Sequence, residues 1–294
     1  MRLPASLVLL LSSVPASAAA PVRALPRVPA ALAGVAVPLS APKLESEIRV
    51  SLAESGYLKL AAALPALAAD EVRRDGYFDY FDGGRFVLKR LEPPYKVRVK
   101  ERGDDARAQV SRPGARETVD DGRLAATVTA VESRETRLPS ETGRRLSAAL
   151  DGFEAALTGS GPLEAAASAA GRLMGEAAWE GRAEVEAAAA TPGARLLPAA
   201  RNEKTRRKVA VTLDDGTTLK AVLGVTRALD ENGRSVVLYE LEADTKESDP
   251  EALRTLARRL LAALRRAGLG PDDIAGRSPD AFLYTESRLR GAAP

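Results

Sequence analysis

Residues 43–52, KLESEIRVSL, alternate between apolar and charged positions. In extended backbone Ile48, Val50 and Leu52 share one face with Ser46, while Glu45, Glu47 and Arg49 share the other. Three later stretches behave alike. In YKVRVKER, Val97 and Val99 oppose Lys96, Arg98 and Lys100; in NEKTRRKVAVTL, Val209, Val211 and Leu213 oppose Lys204, Arg206 and Lys208. In VVLYELEAD, Val237, Tyr239 and Leu241 oppose Glu240, Glu242 and Asp244. With turn residues as punctuation, the pattern predicts about eight strands, near 43–52, 76–89, 94–102, 106–112, 123–135, 203–213, 217–228 and 235–244. Asp215-Gly216 and Asn232-Gly233 suit tight hairpins, so the last three strands form an antiparallel meander.

Helical periodicity fills the gaps. Leu58, Leu60, Leu64 and Leu67 mark a helix over 53–70, and a second follows Pro139-Ser140 over 140–157. A third runs over 249–267, with Asp249 as cap, Pro250 in the first turn, an apolar stripe of Leu253, Leu256, Leu260 and Leu264, and Gly268 as stop. Residues 162–190 are so rich in alanine that they predict one long helix with a weak core face, part of an insert at about 159–197 lying beside the sheet.

The charged faces are sorted by sign, acidic on the first and last strands and basic between. A solvated face of an open antiparallel sheet also alternates. Ordinary wet faces mix signs, however, because like charges along and across strands repel. A row such as Lys204, Arg206 and Lys208 needs an anion or facing carboxylates, and glutamate pairs on different strands point to a shared cation. Closing the sheet meets both needs: apolar faces turn outward under helices, and charged faces line an interior wide enough for a small ligand. The expected fold is therefore α+β, an eight-stranded antiparallel closed sheet with flanking helices and the alanine-rich insert. A chain of phosphates partly neutralised by metal fits such an interior.

Composition narrows the chemistry. The 294 residues include no cysteine and no histidine. That excludes disulfides, thiolate or imidazole zinc sites and His-dependent nucleophilic triads. A metal must be held by oxygen, which favours Mg²⁺ or Mn²⁺. The net charge of +3 does not indicate a partner drawn by bulk charge, and with 4% aromatic residues no nucleic acid is expected. Residues 1–18, with a basic start, a short apolar run and small residues at Ala16, Ser17 and Ala18, read as a signal peptide. They imply export to the periplasm or exterior, with residues 19–42 as an Ala/Pro-rich linker and no later transmembrane anchor.

Glu45-Ser46-Glu47-Ile48-Arg49 resembles the ExExK signature of the CYTH superfamily, the triphosphate tunnel metalloenzymes. Further parts follow in that family's order. Tyr77-Phe78-Asp79 resembles its YFDT stretch, Lys96 to Lys100 its LRIR strand, Lys204-Thr205-Arg206 its KxR strand, and Tyr239-Glu240-Leu241-Glu242 its late ExE strand. The resemblance spans most of 43–285, within a tunnel domain expected over 43–290. It implies metal ligation by Glu45, Glu47, Glu240 and Glu242, and phosphate contacts by Arg49, Lys96, Arg98, Lys100, Lys204, Arg206 and Lys208. The chain departs from the pattern at Arg49, where the signature has lysine, in the weakly charged strand RLAATVTAVESRETR, in the insert, and at Arg277-Ser278-Pro279.

The leading expectation is an exported, Mg²⁺- or Mn²⁺-dependent phosphohydrolase acting on inorganic triphosphate or a nucleoside triphosphate. Glu47 would orient the attacking water, since no histidine exists to do so. The alternatives are a tunnel that binds polyphosphate without turnover, and a cell-surface domain whose charged faces are simply wet. Asp104-Asp105 and Asp214-Asp215 read as turns, Gly83-Gly84 as a loop, Arg258, Arg259, Arg265 and Arg266 as a solvated helix face, and Trp179 as packing.

Overall fold

The computed structural model describes residues 43–276 and 280–291. The signal-peptide and linker expectations lie outside them, as does Arg277-Ser278-Pro279. The elements run β1 (Lys43–Leu52), α1 (Glu54–Ala63), β2 (Glu71–Phe81), β3 (Lys96–Arg102), β4 (Asp105–Asp120), β5 (Ala125–Arg137), α2 (Ser140–Thr158), α3 (Leu163–Glu176), α4 (Arg182–Ala188), β6 (Arg195–Thr212), β7 (Thr218–Leu229), β8 (Ser235–Thr245), α5 (Pro250–Arg266) and α6 (Ala281–Gly291). The eight strands close into one antiparallel barrel in the order β1-β5-β4-β3-β2-β6-β7-β8, with β8 returning to β1. The expected α+β closed sheet is what the chain forms.

The apolar faces point outward. Ile48, Val50, Leu52, Val209, Val211 and Leu241 pack with Leu253, Leu260 and Leu264 of α5. On the other side Val97, Val99, Ala108 and Val110 meet Leu146 and Leu150 of α2 and Met174 of α3. Each fully buried leucine here contributes about 1.5–3 kcal/mol, so these helices hold the barrel wall from outside and leave its interior to charge. α5 begins as its sequence predicts, with Asp249 Oδ1 accepting from the Ala252 amide at 2.7 Å.

Several boundaries differ from expectation for local reasons. The strand expected over 76–89 starts at Glu71 and ends at Phe81. There Gly83 adopts φ +95° and Asp82 Oδ1 accepts from the Gly84 and Arg85 amides, turning the chain. Asp79, from the YFDT-like stretch, is buried and accepts from the Leu88 and Lys89 amides at 2.7 and 2.9 Å, which fixes the short 3₁₀ turn Leu88–Arg90. The helix expected over 53–70 stops at Ala63, because Pro65 and Leu67 add backbone hydrogen bonds to Ala210 and Lys208 of β6.

The single long helix expected over 162–190 is two. The break falls at 177–181, where Gly181 takes φ +81° and Trp179 turns into the core. Its face is not weak either: Leu163, Ala167, Ala170, Leu173 and Met174 are buried. β6 already begins at Arg195, inside the expected insert. α6 was not expected; its Phe282 packs edge-on to Tyr77 and Phe86, each 5.9 Å between ring centres.

Candidate functional site

The charged faces line the lumen. Register sets Glu47 of β1 opposite Asp244 of β8, and Arg49 opposite Glu242. Arg49 Nη2 lies 3.2 Å from Glu47 Oε2 and 3.1 Å from Glu242 Oε2, and its Nε lies 3.3 Å from Glu240 Oε2. Lys204 of β6 reaches the same knot, 3.3 Å from Glu242 Oε2 and paired with Glu240. Gly224 on β7 leaves room for its stem: a Cβ at that position would stand 2.9 Å from Lys204 Cε. Convergence across a closed wall removes the reading of an open, solvated sheet.

Of the four expected metal ligands, the structure joins two. Glu47 and Glu242 each place a carboxylate oxygen within 4.8 Å of one another and of an oxygen of Asp244. Glu240 turns to Arg49 and Lys204, and Glu45 pairs with Lys43. Asp244 stands on the same alternating face, two residues past Glu242, but the ExE resemblance stops short of it.

Electrostatics separates these carboxylates. Burial pushes Glu242 upward, yet Lys204, Arg49, Arg206 and Arg98 outweigh it and hold its carboxyl well below the usual range. Asp244 is pushed up to about 6, by desolvation first and then by Glu242, Glu47 and Glu45. Crowded carboxylates of this kind could hold a divalent cation in place of protons. The all-oxygen set Glu47, Glu242 and Asp244 suits Mg²⁺ or Mn²⁺.

The expected phosphate contacts fall into two groups. Arg49 and Lys204 are engaged by the carboxylates. Arg98 bonds Gln109 Oε1 at 2.6 Å and approaches Asp75, while Lys100 pairs with Glu135. The side chains of Lys96, Arg206 and Lys208 make no hydrogen bond or ion pair among the described residues. Lys96 is lowered to about 8 by desolvation among the surrounding protein atoms and then by Arg116 and Arg49. Burial, followed by Arg73, lowers Arg206 as well. Lys96 and Lys208 are exposed to solvent and Arg206 is half-buried, so these unpaired cations are open to an anion entering the lumen.

Two further lumen groups escaped the sequence reading. Arg73 and Asp75 of β2 are buried and paired at 2.8 Å, with Asp75 Oδ1 buried and without a hydrogen bond. The strand expected over 76–89 left both outside it. Outside the barrel, Arg259 and Arg265 are not purely solvated. They pair with Asp214 and Asp215 and with Asp121, tying α5 to two hairpin turns. Trp179 packs in the core, as expected.

No protein-family model matches the chain, and no curated protein matches it by sequence. Solved structures do resemble it in shape. A Hippeastrum protein with a dominant triphosphatase activity has TM-score 0.47 and 18% identity over 81% of this chain and 94% of its own. A candidate adenylate cyclase from Bacillus halodurans gives 0.43 and 12% over 81% and 96%. The S. pombe RNA triphosphatase gives 0.35 and 12% over 78% and 82%. Through its own closed eight-stranded antiparallel sheet with a charged lumen, the chain has the tunnel fold that the resemblance to the CYTH superfamily implied.

Proposed function

We propose that the chain binds triphosphate in this tunnel together with a divalent cation, and hydrolyses a phosphoric anhydride bond of inorganic triphosphate or a nucleoside triphosphate. One observation carries the reading. Glu47, Glu242 and Asp244 gather at one place in a closed lumen that also holds the unpaired cations Lys96, Arg206 and Lys208. Glu47, Glu242 and Asp244 would hold Mg²⁺ or Mn²⁺, which when bound supplies positive charge toward phosphoryl oxygens.

The chain's own residues supply the rest. Lys96, Arg206 and Lys208 neutralise phosphate oxygens as charge shifts toward the leaving group, with Arg98 and Lys100 extending the row. Arg49 and Lys204 keep Glu240 and Glu242 in fixed positions. Water attacks the terminal phosphorus, the bridging P–O bond breaks, and a carboxylate accepts the proton of the water. Glu47 takes that role, since it is held by Arg49 beside the metal-binding oxygens.

The test is phosphate release from inorganic triphosphate in Mg²⁺ or Mn²⁺, with Glu242→Gln expected to abolish it. No release in either metal, with triphosphate still bound, overturns hydrolysis. It would leave the second reading, a tunnel that captures triphosphate or polyphosphate without turnover. The observation favouring that reading is Arg49, whose rigid fork contacts three carboxylates where the family signature has a lysine.

A further inference from the structure

β4 changes phase partway along. Gln109 pairs with Glu135, Ser111 with Ser133 and Pro113 with Val131, each an inward pair. The register then slips between Pro113 and Arg116, so that Arg116 pairs with Thr129 and Glu117 with Val128. Without this β-bulge, strict alternation would send position 117 inward and position 116 outward. With it, Glu117 faces out and meets Arg254 of α5 at 3.0 Å, and Val119 is buried under the same helix. Arg116 therefore faces the lumen. Bulges commonly re-aim a side chain beside a functional site.

The place where Arg116 arrives is informative. Thr129 pairs with both Arg116 and Glu47, and Glu47 pairs with Asp244. One transverse row of the barrel thus reads Arg116, Thr129, Glu47, Asp244. Arg116 has no carboxylate partner among the described residues, and Lys96 stands near it with the same charge. A single-residue slip has turned a guanidinium, rather than the following glutamate, toward the lumen, in the same row as carboxylates suited to a metal and near another unpaired cation. No internal ion pair among the described residues holds Arg116, and its solvent exposure leaves the guanidinium free to meet an anion in the lumen.

We propose that Arg116 is a phosphate-binding residue of the tunnel, turned inward by the β4 bulge to contact the phosphoryl group beside the Glu47 and Asp244 carboxylates. The inference rests on the triphosphate reading above and adds a residue to it. Arg116→Gln should weaken triphosphate binding about tenfold or more, the scale of one charge-assisted hydrogen bond. Arg116→Lys should recover part of it, and Glu117→Gln, one residue along but facing α5, should bind as the unaltered chain does.

The measurement is calorimetric titration of inorganic triphosphate with Mn²⁺ present, beside thermal melts with Mn²⁺ alone. Melts in which Mn²⁺ stabilises all four proteins alike confirm that each is folded with its carboxylates in place. If the unaltered chain binds no triphosphate, the tunnel reading falls and this inference with it. If the unaltered chain binds and Arg116→Gln binds equally well, the inference alone falls. Equal losses in Arg116→Gln and Glu117→Gln also overturn it, because they would reflect general disturbance of β4.

Discussion

Arg49 shows how much one side chain arranges in this lumen. Its guanidinium touches Glu47, Glu240 and Glu242, a geometry that the point charge of lysine cannot reproduce. Glu242 is the shared partner of Arg49 and of the buried Lys204. Glu242→Gln should therefore destabilise the metal-free protein by about 3 kcal/mol, because the buried Lys204 loses a counter-charge, as urea titration would read. Asp244 acts in the opposite sense. Its pKa rises from 3.8 to about 6 on folding, so the folded state binds more protons between those values. Its stabilising contribution is complete below about pH 4 and is lost as pH rises through about 6. Denaturant melts of the metal-free protein should show a loss between pH 4 and 7, to which buried Asp79, pushed up to about 7, also contributes, and Asp244→Asn should make it shallower. A slope unchanged in the variant would assign the loss to another group.

Elements decide what the lumen residues face. Gly171 on α3 lets that helix lie against β6: a Cβ there would stand 1.8 Å from the Leu196 carbonyl oxygen. Gly171→Ala should push α3 off the barrel and cost about 3 kcal/mol, the upper range for overpacking, while leaving the carboxylate knot untouched. The expected reading is a lowered urea midpoint with Mn²⁺ stabilisation retained. The insert thus belongs to the outer wall; its small residues allow close approach, which an alanine count alone reads as weak packing. α6 belongs there too. Its buried Glu286 accepts from the Phe86 amide at 2.6 Å and from Arg90 at 3.1 Å, so a helix with little periodic signal is held by specific polar contacts as well as by Leu289 and Phe282.

At the scale of the whole molecule, closure turns four alternating strands into one site and couples ligand to stability. Mn²⁺ at a hundred times its dissociation constant should stabilise the fold by about 2.7 kcal/mol, raising the melting temperature by roughly 5–10 °C. Glu47→Gln combined with Glu242→Gln should remove that response, and equal shifts in both proteins would refute a carboxylate metal site. The sequence by itself determined the faces of the strands. Alternation in β1, β3, β6 and β8, the two Asp/Asn-Gly hairpins and the capped α5 follow from local geometry, and all appear in the structure. Period-two alternation reads the same in an open sheet as in a barrel, so closure was decided by the pairing of β1 with both β5 and β8. Tertiary structure also decided which charges meet. The β1–β8 register joins Asp244 to Glu47 and Glu242, and a one-residue bulge in β4 chooses Arg116 over Glu117 for the lumen. Register and bulges are set by packing on both sides of a strand, which residues read along one strand do not contain.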